Sequence, residues 1–196
     1  EQLDPNSLQL GGKRTDITVL FADVRGFTSF SETQEPEKLV SILNRYLGAM
    51  AESVLSQEGT IDKFMGDAIM SWFNAPVPQA DHTLRAVKAA LAIRDAFEGL
   101  YKVLPKEAHL AFGAGIHYGD AVLGLIGTDR RIEYTAISDS VNTAKRLQEN
   151  SAKNQIIISR AAYARVQDDV EVRPIAPVAA KGKTQPLEVY EVLGLK

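Results

Sequence analysis

Three short segments of this 196-residue chain carry side chains that could do chemistry at defined spacings. In Phe21-Ala22-Asp23-Val24-Arg25-Gly26-Phe27-Thr28 an apolar run ends on a carboxylate, and Gly26 permits an unusual backbone just beyond it. A strand-end carboxylate beside exposed backbone amides suits magnesium-bound phosphates. The plainer reading is that Asp23 caps the helix that follows. In Lys63-Phe64-Met65-Gly66-Asp67-Ala68-Ile69-Met70 a charged Asp67 interrupts two apolar strands, where Gly-Asp pairs are also ordinary hairpin residues. The third segment runs from Glu133 through Tyr134, Thr135 and Ser138 to Leu147. Its Asn142 and Arg146 stand four apart on one helical face, while Val141, Ala144 and Leu147 turn to the core. The pair are either solvated residues or donors aimed at a sugar and a phosphate.

The elements that must position these groups are legible in the apolar pattern. Ile17, Val19, Leu20 and Phe21 predict a buried strand over 16–23. Leu39, Leu43, Tyr46, Met50 and Val54 predict a helix over 36–55, opened by Glu35 and Pro36 and ended near Gly59. Two strands around Met65-Gly66-Asp67 fill 60–73, and a proline-containing loop covers 74–79. A second long helix is expected over 81–101, with Leu84, Val87, Leu91 and Phe97 inward. Strands at 110–118 and 121–126, joined at Gly119-Asp120, come next. A strand at 132–137 then leads into a helix over 138–148. The chain finishes with a strand at 156–159, a short helix, and a strand pair around Lys181-Gly182. Tight turns between strands favour an α+β fold over a doubly wound sheet. The expected form is a ferredoxin-like, palm-type βαββαβ sheet with helices packed mainly on one face and extra C-terminal strands.

Composition narrows the classes. The chain is 45% hydrophobic and 24% charged, ordinary for one compact domain with a real core. A net charge of −3 gives no field for nucleic acid or an anionic membrane. With no cysteine, disulfide scaffolds, Cys-ligated zinc and thiol nucleophiles are excluded. No stretch approaches the ~20 apolar residues of a membrane span, so no membrane contact is expected from this segment. The N-terminus has no signal pattern and no initiator Met. The expected organisation is residues 1–14 as the end of an upstream linker and 15–196 as one domain, excised from a longer protein. His117 is expected to be a satisfied strand residue, His82 and His109 to start elements, and Trp72 to pack.

Taken together and in order, FADVRGFTSFS, GTIDKFMGDAIM and YTAISDSVNTAKRLQ resemble the catalytic domain of class III adenylyl and guanylyl cyclases. The resemblance runs from about Asp16 to Val192 and is greatest to bacterial Lys/Thr-type adenylyl cyclases. It implies conversion of ATP to cyclic AMP and pyrophosphate, with two Mg2+ (or Mn2+) ions per site. Asp23, Asp67 and the carbonyl of Val24 match the metal ligands. Lys63 and Thr135 match the readers of the base. Asn142 matches the ribose contact and Arg146 the residue that stabilises the transition state. Lys181 and Arg130 match phosphate contacts, and Phe27 and Thr28 are expected to touch substrate. Ser138 stands where the family often has Gly, and Thr135 where mammalian adenylyl cyclases have Asp. The diguanylate cyclase signature, Gly-Gly-acid-acid-Phe, is absent.

The resemblance also implies a homodimer with two sites at the interface, in which Asp23, Asp67 and Arg130 face Lys63, Thr135, Asn142, Arg146 and Lys181 of the partner copy. It implies an upstream regulatory domain, a signalling role and a cytoplasmic location. Base choice follows from polarity: Lys63 donates and a Thr135 hydroxyl can accept, which matches adenine N1 and its 6-amino group. Guanylyl members carry an acid at the Lys63 position. The alternatives are a guanylate cyclase, or an inactive nucleotide-binding regulatory module.

Overall fold

The computed structural model describes residues 11–128, 131–179 and 185–196. Its frame is one long antiparallel pair, β1 (Gly11–Arg25) and β4 (Ala111–Thr128), registered from Gly11↔Leu125 to Arg25↔Ala111. On β1, Ile17, Val19 and Phe21 enter one apolar layer and Leu20, Ala22 and Val24 the other. Burial on both faces is why this stretch reads as an unbroken apolar run rather than an alternating one. The strand begins at Gly11 rather than Asp16, because its polar first residues pair with the far half of β4.

The hairpin β2 (Thr60–Met65) and β3 (Ala68–Phe73) joins β1 through β3. On the other side β6 (Gln155–Ser159) runs parallel to β4, followed by β8 (Val189–Leu195) and β7 (Val170–Pro174). The order is β2-β3-β1-β4-β6-β8-β7, and β5 (Arg131–Ile137) pairs with the end of β4 to complete an eight-stranded sheet. Of the strand pair expected around Lys181-Gly182, those two residues lie outside the described residues; β7 and β8, on either side of them, pair with each other.

Helices lie mainly on one face, as expected. α1 (Phe27–Ser31), α2 (Pro36–Leu55), α3 (His82–Tyr101) and α5 (Arg160–Tyr163) contribute to the larger core. In α2, Pro36 occupies the first turn, where its missing N–H costs nothing, and Ile42, Tyr46, Met50 and Val54 are buried. Tyr46 packs on Phe97 at 4.7 Å between centroids, and its hydroxyl donates to the Ala108 carbonyl at 2.6 Å. Among the described residues α4 (Asp139–Glu149) is the one helix on the opposite face, with Ala144 in the second core beside Phe21, Trp72 and Leu123. Among the described residues no helix is long and apolar enough to cross a membrane.

One expectation is corrected. Gly119-Asp120 is no turn: β4 is a single strand through it. The glycines at 113, 115 and 119 share one face of β4, and α4 with its C-terminal turn presses into the groove they leave. A Cβ on Gly119 would meet the Ser140 Oγ, and one on Gly115 would meet the backbone of Ala144 and Gln148. The glycines are there for close helix packing, not for bending. Gly115→Ala is therefore expected to destabilise the fold by about 1–3 kcal/mol, lowering the unfolding midpoint by several degrees. Gly99→Ala, in open space on α3, should hold or raise it; thermal unfolding of both variants checks this.

Candidate active site

Asp23 lies near the end of β1, paired across the ladders with Ala68 and Gly113. Asp67 follows Gly66 in the β2–β3 turn, and Gly66 takes φ +65°, a region that favours glycine. The Val24 amide donates to the Asp67 carbonyl at 2.9 Å, which pins the turn to the strand end and draws the two aspartates together. Asp23 is not the helix cap: Gly26, at φ +84°, holds that position on α1 without a side-chain bond. Phe27 packs its ring against the core, whereas Thr28 is exposed at the start of α1.

Burial raises the Asp23 carboxyl above its ordinary range; Arg25 opposes this and the Asp67 charge reinforces it. Arg25 Nε donates to Asp23 Oδ1 at 2.8 Å, and its Nη2 reaches the Gln148 carbonyl and the Ser151 Oγ at the end of α4. Gly113 makes room for this clamp, since a Cβ there would collide with both Arg25 and Ser151. Among the described residues the Asp67 carboxylate has no hydrogen-bond or ion-pair partner. Two close, hard oxygen donors, one of them unengaged, fit Mg2+ or Mn2+. Among the described residues no three His, Cys, Asp or Glu side chains converge. Further ligands would therefore come from backbone, as the Val24 carbonyl, or from phosphate.

A second group forms where β2 meets β5. The β2–β3 register slips between Ile61 and Lys63, leaving Asp62 as the extra residue of a bulge. The bulge re-aims Asp62 toward β5, where its Oδ2 accepts from Thr135 Oγ1 at 2.7 Å. Lys63 Nζ lies 3.9 Å from Asp62 and 3.3 Å from Glu133. Burial raises the Asp62 carboxyl, against the Thr135 hydrogen bond and the Lys63 charge. Glu133 is held below its ordinary range by Arg131 and then Lys63. Asp62, Lys63, Arg131 and Glu133, with Phe64 and Tyr134, border a cleft of about 430 Å³, to which Thr135 is joined through Asp62. A cleft of about 550 Å³ beside Arg25 and Gly26 includes none of Asp67, Lys63 or Thr135.

The third group is on α4. The Ser138 Oγ accepts from the Val141 amide at 3.1 Å and caps the helix, so the serine that departs from the family pattern has a local role. Asn142 is exposed and Arg146 half-buried, and among the described residues neither side chain has a partner. Arg130 and Lys181 lie outside the described residues. Among the described residues no hydrogen bond or ion pair joins the Asp23–Asp67 pair to Lys63, Thr135, Asn142 or Arg146. The histidines are engaged elsewhere: His82 with Thr18, His109 with the Leu104 carbonyl, His117 with Ser159.

The family model described as the adenylate and guanylate cyclase catalytic domain matches residues 12–194. The chain belongs to this family. This cyclase domain is 35% identical over 186 residues to adenylate cyclase 1 of Rhizobium meliloti, covering 93% of this chain and 28% of that protein. It is 31% identical to an adenylate cyclase of Anabaena cylindrica, covering 95% of this chain and 38% of the relative. It thus spans well under half the length of these relatives. Among solved structures, the adenylyl cyclase CyaB of P. aeruginosa superposes with a TM-score of 0.89 at 36% identity, covering 94% of this chain and 96% of that one. The guanylyl cyclase Cya2 superposes at 0.85 with 38% identity, covering 95% and 96%. Similarity therefore reaches cyclases of both names.

Sequence reasoning missed Arg25, Asp62 and Glu133. Arg25 and Asp62 each adjoin a residue it named, but only the fold shows what they touch. The carboxylate pair leads to one expectation. Asp67→Asn removes a like charge from beside Asp23, so the metal-free domain should be at least as stable as wild type while magnesium-dependent turnover falls more than ~100-fold. Urea unfolding in chelator, beside a turnover assay, checks both halves.

Proposed function

We propose that this cyclase domain converts ATP to 3′,5′-cyclic AMP and pyrophosphate, with active sites shared between two copies. The observation that carries the ATP reading is that Lys63, which lines the cleft, and Thr135 converge on one oxygen: Thr135 Oγ1 donates to Asp62 Oδ2 at 2.7 Å and Lys63 Nζ lies 3.9 Å from it. Lys63 would donate to adenine N1 and the Thr135 oxygen would accept from the 6-amino group. Similarity to Cya2 favours GTP, but Lys63 stands where a guanylyl cyclase needs an acceptor for guanine N1–H.

In the reaction the ribose 3′-oxygen attacks the α-phosphorus, the bond to the bridging oxygen breaks, pyrophosphate leaves and the 3′ proton passes to solvent. Asp23, Asp67 and the Val24 carbonyl would hold two Mg2+ or Mn2+ ions. When bound, such a metal pair makes the 3′-hydroxyl a better nucleophile and neutralises the leaving oxygens. Asn142 would hold the ribose, and Arg146 would meet charge building on the α-phosphate. Lys181 is assigned to the terminal phosphates and Arg130 to a further phosphate contact. Phe27 and Thr28 would touch the substrate.

The sharing of sites is supported by the lack, among the described residues, of any hydrogen bond or ion pair from the two aspartates to Lys63, Thr135, Asn142 or Arg146. Apolar exposure supports it too: Phe64, Val122, Ile126, Ile132 and Tyr134 are open on β2, β4 and β5, and Ile137 is 57% exposed. A second copy would cover them, giving two equivalent sites about a twofold axis. We assign residues 15–196 to the catalytic domain and 1–14 to a linker end; an upstream regulatory region would supply the signal. ATP as substrate places the working domain on the cytoplasmic side.

Incubation with ATP or GTP and magnesium or manganese, followed by product chromatography, tests the assignment. Cyclic AMP as the main product is expected; comparable rates on both nucleotides contradict it. Arg146→Ala is expected to lose turnover by about two to three orders of magnitude. Full turnover in that variant would remove the role given to Arg146.

A further inference from the structure

Lys63 offers guanine N1–H no acceptor, yet its ammonium could still donate to guanine O6. Discrimination therefore falls on Thr135, and a threonine hydroxyl is by itself an ambiguous reader. It has one proton to give and lone pairs to receive, so a freely rotating Thr135 could accept from adenine's amino group or donate to guanine's O6. The surroundings of Thr135 remove that freedom. Its Oγ1 lies 2.7 Å from Asp62 Oδ2, and an ionised carboxylate is an acceptor only. The Asp62 side chain is only 2% exposed; that burial pushes its carboxyl up, while the Thr135 hydrogen bond and the Lys63 ammonium 3.9 Å away favour the ionised acceptor. Glu133, the other carboxylate of the cleft, is bound by Arg131 and Lys63.

We propose that Asp62 is a specificity-determining positioning residue: by taking the Thr135 proton it commits the Thr135 oxygen to accept, and so selects the amino group of adenine against the carbonyl of guanine. This deepens the assignment of Lys63 and Thr135 as base readers and rests on it. The bulge in β2 is the device that makes it possible. In a regular strand, neighbouring residues face opposite sides. With Asp62 as the extra residue, both its carboxylate and the Lys63 ammonium serve the same cleft. Guanine O6 would then face only lone pairs on Thr135, and a polar group left unpaired on binding is rejected more strongly than a poor apolar fit.

The test compares wild type, Asp62→Ala, Thr135→Val and the double variant, with kcat and KM measured separately on ATP and GTP and thermal unfolding alongside. Wild type should prefer ATP. Each single variant should lower the ATP-to-GTP ratio of kcat/KM by about tenfold, mainly through KM. The double variant should lower it no further than Thr135→Val alone, because Asp62 acts through Thr135. Asp62→Asn keeps the volume of the buried side chain but presents a donor as well as an acceptor. It should also erode the ratio, and it replaces Asp62→Ala in the cycle if that chain fails to fold. Equal losses on both nucleotides, or additive losses in the double variant, overturn the role of Asp62. A wild-type ratio in Thr135→Val overturns the base-reading assignment itself and the role of Asp62 with it.

Discussion

The antiparallel pairing of β1 with β4 is the constraint on which the rest depends. These two strands run side by side along the whole of β1, and other elements attach to one or both of them. The β2–β3 hairpin docks on one flank and carries Asp67 to the end of β1, where Asp23 waits. β6 and β5 share the other flank, one beside the first half of β4 and one beside the last. α4 fits the glycine groove on β4, which fixes where Asn142 and Arg146 stand. A slip of one residue in this ladder would turn every one of these side chains to the wrong face.

The site is held at a cost in electrostatics. Asp23 is half-buried beside a second carboxylate, and Arg25 chiefly offsets the penalty, helped by Gln148. Arg25 is itself fastened to the end of α4, so the strand end that carries Asp23 and the helix bearing Arg146 are tied together within one chain. The cleft between β2 and β5 is organised by opposite means: Asp62, Lys63, Glu133 and Arg131 alternate in sign and pair with one another. One group thus carries an unengaged carboxylate, and the other pairs its charges internally.

Much of this was legible in the residues. Long apolar runs and capping residues located β1, α2, the β2–β3 hairpin, α3 and α4, because local pattern decides them. Asp23, Asp67, Asn142 and Arg146 stood out by type and spacing. What was not legible depended on contacts far along the chain. Gly119-Asp120 has the composition of a turn, and only the approach of Ser140 shows it as a groove in a continuous strand. Gly11 to Thr15 carry little apolar signal, and their strand character comes from β4. Asp62 looks like a surface charge until a bulge and Thr135, distant in sequence, give it a partner.

The proposed active site is built from two copies, the aspartates of one facing the α4 residues of the other. The direct measurement mixes an Asp23→Ala chain with an Arg146→Ala chain, each inactive alone, and follows cyclic AMP formed from ATP. With free exchange of subunits, half the dimers are mixed and one of their two sites is intact. Activity should therefore return to about a quarter of wild type. A mixture that stays as inactive as its parts would contradict the shared site and place the chemistry within a single chain.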